Sequence, residues 1–214
     1  MLTLTELTHG KLKTYQRLHR DHFSENLSLR VHRALSWLAR AEVARATQDC
    51  DAEFIFYWIS FNAAYANESG YSERLPEQQH FQAFLAKISA ADSEELLHSL
   101  IWQQFSGSIR CLINNQYVYA PFWEFQRGNL TAEAWQQRFN HSIAAVNQAL
   151  ADQNVPLVLS HIFTRLYTLR NQVIHGGATW QSSVNREQVK DACNLLHHLI
   201  PLIIGLMMSA PDQL

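Results

Sequence analysis

The chain has 214 residues, of which 47% are hydrophobic and 17% charged, with only seven Gly and five Pro, and its formal net charge is −2. This length can bury a substantial core, and the high apolar fraction with so little net charge excludes an intrinsically disordered chain. The scarcity of Gly and Pro disfavours a many-stranded β-sandwich or barrel, and the near-neutral charge argues against a broadly basic nucleic-acid-binding protein.

Hydrophobic periodicity predicts an all-α protein with one helical domain over residues 1–214, in which residues 1–26 form an N-terminal helical extension. No alternating pattern of useful length indicates a strand. The segment 53–66 is apolar on every side, which is typical of a helix packed all round in the middle of a domain. In chain order the predicted helices cover residues 4–23, 27–46, 53–66, 76–90, 93–114, 131–153, 156–175 and 186–209.

Short polar residues predict where some of these helices begin. Asp49 or Asp51 can cap the helix that follows them, and Ser93 can cap the helix over residues 93–114. Asn185 with Gln188 three residues later resembles a capping box at the start of the C-terminal helix.

The segment 116–125, QYVYAPFWEF, is the one long irregular stretch. Aromatic residues at this density can stack on nucleic-acid bases. The alternative, which we favour, is a connection that packs its rings on the bundle or on a partner subunit.

Cysteine use and hydropathy bear on the compartment. The three Cys are odd in number and form no CxxC pair, which predicts reduced thiols in a cytoplasmic protein. The N-terminus lacks the basic start and apolar run of a secretory signal. The longest apolar run, residues 195–208, is shorter than the roughly 20 residues of a membrane span and predicts a buried core helix. We therefore expect no association with a membrane.

Motifs for several common enzyme chemistries are absent from the sequence. It contains no HExxH, no phosphate-binding Gly-rich loop, no GxSxG and no dinucleotide fingerprint. His19 and His22 are three residues apart on a polar helix but lack a third ligand, and the adjacent His197 and His198 point about 100° apart. We therefore predict neither a metal site nor a cofactor.

The helix predicted over residues 156–175 stands out by its charge. Arg170 falls in the middle of its apolar stripe, where an unpaired cation would be costly without a carboxylate, a phosphate or a water-lined cleft. No Asp or Glu occurs from Gln153 to Arg186, the longest such gap in the chain, and the window holds Arg165, Arg170 and Arg186. This concentration of positive charge favours an anionic ligand.

His175 lies five residues after Arg170, beside the glycines at 176 and 177 that end the predicted helix. Arg and His are common in a last helical turn, where they bind terminal carbonyls and complement the helix dipole. The same location favours the protonated imidazole, so the functional alternative is a His poised near neutrality for acid–base chemistry on a phosphodiester. The spacing alone leaves both interpretations open.

The residues RNQVIH, 170–175, resemble the R-x4-6-H signature of the HEPN superfamily, including the polar residue that follows the Arg. An apolar helix precedes the motif, His-Gly-Gly ends it, and a long apolar C-terminal helix follows. Upstream, residues 34–66 resemble the N-terminal core of the Apea-like HEPN branch. Together these segments extend over about residues 33–208, and residues 70–154 carry no matching motif.

The resemblance implies a HEPN-like helical bundle with additional helices, which forms a homodimer with the two motif helices facing each other across a cleft. It implies a metal-independent endoribonuclease that acts as a toxin, in phage defence or in RNA processing. His175 is then the acid–base group for attack of the ribose 2′-OH on its own phosphate, Arg170 holds that phosphate, and Asn171 orients one of them. The products would carry 2′,3′-cyclic phosphate and 5′-OH ends.

Further ligands and partners follow from the same interpretation. Arg165 and Arg186 are candidate substrate-binding residues for RNA or a nucleotide, and an antitoxin or a defence-system protein is a candidate partner. Two other functions stay open. One is a non-catalytic HEPN module that binds RNA or a nucleotide or acts as a scaffold. The other is a helical interaction protein in which Arg170 pairs with a buried carboxylate from another helix.

The net charge also conceals two basic zones. The first 45 residues hold eight basic and four acidic residues, and the carboxylate-free window around Arg170 forms the second zone. We predict that the two zones meet in the fold and form one positive groove.

Overall fold

The computed structural model describes residues 7–66, 76–175, 179–183 and 185–214. Over these residues it contains ten α-helices and no β-strand, which confirms the predicted all-α class. Residues 1–6 of the predicted N-terminal extension and the glycines at 176 and 177 lie outside the described residues. The helices are α1 His9–His19, α2 Glu25–Ala46, α3 Cys50–Tyr65, α4 Glu77–Ala91, α5 Leu96–Ser99, α6 Ser106–Asn114, α7 Ala120–Gln126, α8 Ala132–Ala151, α9 Val155–Ile174 and α10 Arg186–Ser209.

Polar side chains satisfy the free backbone N–H groups at several of these helix starts. The Ser24 hydroxyl accepts a hydrogen bond from the N–H of Leu27 at 3.2 Å and caps α2. Asp49, one of the two predicted candidates, accepts from the N–H of Ala52 at 3.1 Å and caps α3. A cap of this kind contributes about 1 kcal/mol to helix stability.

The single helix predicted over residues 93–114 is interrupted, and its predicted cap, Ser93, is wrong. The carboxylate of Asp92 accepts hydrogen bonds from the backbone N–H groups of Leu96 and Leu97, at 3.0 and 2.7 Å. Each carboxylate oxygen of Asp92 thus satisfies one of the free N–H groups at this helix start. After α5 the chain widens into a π-helical turn, Leu100–Gln104, before α6 begins.

Helix α3 occupies the centre of the fold. It packs on α2 and α10 and also contacts α4 and α9. Its large side chains Phe54, Tyr57, Trp58 and Phe61 are at most 1% exposed. Burial of each such side chain contributes about 1.5–3 kcal/mol relative to an exposed location. The all-round apolar pattern therefore predicted this central helix correctly.

Helix α9, which carries the RNQVIH motif, packs mainly against α4, α6 and α8. In the predicted apolar stripe, Leu159, Ile162, Phe163 and Leu166 are fully buried. Val173 is only partly buried and Ile174, on the edge of the stripe, is exposed, so burial ends before the last turn of the helix. Phe163 stacks on Phe61 of α3 with the ring centroids 4.1 Å apart. This packing holds the C-terminal part of α9, where the motif lies, against the core.

Helix α10 contains the longest apolar run of the chain. Within the described ranges it is the one helix long and apolar enough to cross a membrane by length and composition. In the fold, 78% of its most apolar window is buried inside the protein. The prediction of a buried core helix is therefore confirmed.

The aromatic segment 116–125 is more helical than its sequence predicted, because it forms a 3₁₀ turn, Gln116–Val118, and helix α7. Its rings pack on α8, with Phe122 edge-on and Phe125 stacked against Trp135, at centroid distances of 5.3 and 5.8 Å. Packing on the bundle is thus the correct alternative for these rings.

Candidate functional site

Arg170 lies near the C-terminal end of α9, with 17% of its side chain exposed. One Nη atom donates a hydrogen bond to Glu77 Oε1 at 3.2 Å, and the other donates to Asn171 Oδ1 at 2.9 Å. The guanidinium also lies 5.7 Å from the ring centroid of Trp58 and 5.3 Å from that of Tyr167. The carboxylate, the amide and the two rings together offset the loss of hydration around the cation.

Glu77, the partner of Arg170, belongs to a larger hydrogen-bond network. Glu77 is the first residue of α4, and its Oε1 lies 3.1 Å from the hydroxyl of Tyr65. That hydroxyl is also 3.0 Å from Asn62 Oδ1. Burial and the Glu77 carboxylate raise the pKa of Tyr65, so the hydroxyl stays protonated and donates. This hydrogen-bond network joins α3, α4 and α9. It runs from Asn62 through Tyr65 and Glu77 to Arg170.

Arg170 keeps one unsatisfied donor. Its Nε atom is buried and has no hydrogen-bond partner within the described residues. The Glu77 side chain is 33% exposed, so the ion pair lies at the edge of the protein rather than in its core. The interaction-protein alternative required a buried carboxylate from another helix; Glu77 comes from another helix but is only partly buried.

His175 ends α9 and stands apart from this network. Its backbone N–H donates to the carbonyl of Asn171 at 3.1 Å. Its side chain is exposed and makes no hydrogen bond or ion pair within the described part of the chain. The neighbouring Ile174 is also exposed, at 47%. The end of α9 therefore offers solvent an open imidazole five residues after a guanidinium that Glu77 and Asn171 hold in place.

The substrate-binding role predicted for Arg186 needs correction. Both of its Nη atoms donate to the carboxylate of Asp51, at 3.1 and 3.0 Å, and this pairing raises the pKa of Arg186. Asp51, the other predicted cap of α3, is thus used for this ion pair and for the N–H of Gln181. A phosphate would have to displace a bidentate carboxylate to reach Arg186.

The capping box predicted at the start of α10 is also wrong. Asn185 has a left-handed backbone, with φ of 59°, and its side chain makes no capping hydrogen bond. Its amide instead donates to Gln172 Oε1 of α9 at 2.8 Å. The side chain thus ties the loop before α10 to the motif helix.

The substrate-binding role predicted for Arg165 also needs correction, because this residue is only 2% exposed. It donates to the carbonyl of Ile113 and the hydroxyl of Ser142, and its guanidinium lies 4.2 Å from the ring centroid of Tyr119. Burial lowers its pKa to about 10. Five residues from Arg170 on the same helix, it lies about 140° around the axis and serves as an internal cation under the aromatic segment.

Within the described residues, neither helix of the first basic zone, α1 or α2, packs extensively on α9. Helix α1 packs on α2 and α10, whereas the main partners of α9 are α3, α4, α6, α8 and α10. The single positive groove is therefore not supported. Over residues 7–66, 76–175, 179–183 and 185–214, no group of three or more His, Cys, Asp or Glu side chains is placed to hold a metal ion.

Sequence reasoning missed the residues that surround Arg170. Glu77 is 93 positions away along the chain, and Tyr65 and Asn62 lie on yet another helix. The one signal that pointed to such a partner was the location of Arg170 in an apolar stripe, which demanded some anion without specifying which.

Comparison with known proteins adds no relative. No family model matches the chain, and neither a curated protein nor a solved structure is significantly similar to it.

Proposed function

We propose that the protein is a metal-independent endoribonuclease of HEPN type. One observation carries the proposal: α9 ends with the exposed imidazole of His175, which has no hydrogen-bond partner within the described residues, five residues after a guanidinium held by Glu77 and Asn171. A guanidinium already held in position loses little further side-chain entropy when it binds a phosphate. An exposed imidazole is accessible to a substrate and belongs to the side chains that most often serve in general acid–base catalysis.

These groups would act on the ribose and its phosphate. His175 accepts the proton of the 2′-OH, the 2′-oxygen attacks the adjacent phosphorus, and the bond to the 5′-oxygen breaks. A proton from solvent balances the charge on the departing 5′-oxygen. Arg170 stabilises the negative charge that develops on the phosphate oxygens, and the phosphate takes the place of Asn171 or Glu77 at one Nη atom.

The proposal includes a homodimer with the site at its cleft. Ile174 and Trp180 are 47% and 68% exposed, and large exposed apolar side chains favour burial in an interface. We expect light scattering at micromolar concentration to give twice the chain mass of 24.7 kDa. A monomer under these conditions would contradict a site composed of two chains.

Cleavage in the presence of EDTA tests the function directly. We expect the purified protein to cut RNA into fragments with 2′,3′-cyclic phosphate ends and to leave 2′-O-methyl RNA intact. Arg170→Lys keeps the charge but loses the planar fork, so we expect cleavage about tenfold slower.

The control for this substitution is Arg138→Lys, on an exposed position of α8, which should cut at the wild-type rate. Equal cleavage by the wild type, Arg170→Ala and His175→Ala would identify a contaminating nuclease or another site and overturn the proposal.

A second function is favoured by the ion pair between Arg170 and Glu77, since that pair gives the guanidinium a structural role. In this case the chain is a non-catalytic HEPN module, an RNA- or nucleotide-binding or scaffolding subunit, and wild-type protein would bind RNA without cutting it. In both cases we place the protein in the cytoplasm, in phage defence, RNA processing or a pairing with an antitoxin.

A further inference from the structure

An open cleft of about 610 Å³ lies between α1 and the first turns of α2. Its lining includes four basic side chains, those of Lys13, Arg17, Arg20 and His32. The one carboxylate in the lining belongs to Glu25. No residue of the RNQVIH motif contributes to this cleft.

The cations form a row rather than a scattered set. Lys13 and Arg17 are four residues apart on α1, so they share a face of the helix and lie about 6 Å apart along its axis. Arg20 continues the row in the 3₁₀ turn that follows. Lys13 Nζ donates to Gln16 Oε1 at 2.6 Å and lies 3.3 Å from His32 Nδ1, which belongs to the α2 side of the cleft.

The repulsion among these cations is poorly compensated by the residues that the structure describes. Burial and the charges of Arg17 and Arg20 lower the pKa of Lys13. Arg17 makes no ion pair within the described residues, and Arg20 pairs only with the exposed Asp21, at 3.8 Å. An exposed pair of this length contributes little. A bound anion would relieve the remaining repulsion.

We propose that this cleft binds the phosphodiester backbone of single-stranded RNA. An open cleft with a row of cations fits an extended polyanion better than one enclosed phosphate. Phe23, which is partly exposed at the cleft, provides an aromatic ring on which a base can stack. The choice of RNA rests on the proposed function, whereas the affinity of the cleft for phosphate groups does not.

The cleft would hold the substrate strand while the chemistry takes place at the end of α9. Because it contacts RNA equally before and during the reaction, its loss should raise KM and leave kcat unchanged. A catalytic group has the opposite signature. The two surfaces can therefore be distinguished by kinetics as well as by binding.

Fluorescence anisotropy with a labelled 2′-O-methyl oligouridine tests the cleft without cleavage of the probe. We expect Arg17→Glu/Arg20→Glu to bind at least about tenfold more weakly, with a shallower salt dependence, because each lost phosphate contact reduces the slope by about 0.7. We expect Glu25→Gln to bind about two- to threefold more tightly, since it removes the one carboxylate of the lining. A gain in affinity cannot result from misfolding.

The matched control is Lys87→Glu/Arg110→Glu, which makes the same charge change at exposed positions of α4 and α6. We expect it to change the affinity less than about twofold. An equal loss of affinity in the two double variants would overturn the proposal that the cleft binds RNA. Binding of tripolyphosphate without binding of the oligouridine would overturn it as well.

The failure of this inference is distinguishable from failure of the proposed function. If the cleft binds RNA but the protein is not a nuclease, the oligouridine binds through Arg17 and Arg20 while wild-type protein cuts no RNA. If the protein is a nuclease but the cleft does not bind RNA, cleavage depends on His175 and the cleft variants keep the wild-type KM.

Discussion

Replacement of His175 by alanine is expected to slow RNA cleavage by about 10²–10⁴-fold, the usual contribution of a positioned acid–base group. The stability of the fold should hardly change, because the side chain is exposed and makes no hydrogen bond within the described residues. Single-turnover cleavage in EDTA and urea unfolding measure the two effects separately.

His141→Ala is the matched control for this substitution. His141 is an exposed His on α8, and its loss should leave cleavage at the wild-type rate. Unchanged cleavage in His175→Ala, or the same loss in both variants, would remove His175 from the mechanism.

Acidification from pH 7 to pH 4 is expected to lower the free energy of unfolding by about 1–2 kcal/mol through His197, less than the full pKa difference gives because the side chain is only partly buried. His197 Nδ1 lies 2.8 Å from the hydroxyl of Tyr57. Burial and the nearby charges of Arg45 and His198 lower its pKa to about 4. Burial also raises the pKa of Tyr57, so its hydroxyl remains the donor and neutral His197 accepts.

The direction of the effect follows from these two states. Since the folded-state pKa lies below the unfolded value of about 6.5, the unfolded chain takes up the proton first as the pH falls. The stabilisation is complete above about pH 6.5 and is lost between about pH 6.5 and pH 4. Protonation of His197 in the fold would also remove the acceptor for Tyr57.

Urea unfolding of wild type and His197→Asn over this pH range measures the effect. The amide oxygen that this substitution introduces can still accept a hydrogen bond from Tyr57, and the amide does not titrate in this range. The difference between the two curves isolates His197 from other groups, such as His161, whose pKa burial also lowers. Parallel curves would contradict the prediction.

How far the fold could be predicted depended on how much of each helix is buried. Helices α2, α3 and α9 carry long apolar patterns, because core contacts run along their whole length, and these patterns predicted them within a few residues. Helix α7 has only seven residues and a Pro in its first turn. A helix of this length is too short for the hydrophobic period of a helix to be recognised in its sequence. The π-helical turn before α6 likewise leaves no trace in an apolar pattern that continues through it.

The candidate site was predictable only in part, because charges are neutralised in space and not along the chain. The absence of carboxylates around Arg165, Arg170 and Arg186 suggested an anionic ligand for all three. Asp51, 135 positions from Arg186, and Glu77, 93 positions from Arg170, instead supply carboxylates from other helices. Arg165 has no such carboxylate among its contacts and is accommodated by carbonyl, hydroxyl and ring contacts within the bundle.

The hydrogen-bond network that ends at Arg170 also makes the site dependent on the packing of α3 and α4 with α9. The guanidinium takes its carboxylate from α4 and one of its rings from α3, and both helices are synthesised well before α9. A fragment that begins after α4 therefore contains Arg170 and His175 and still lacks the carboxylate and the Trp58 ring that hold the guanidinium.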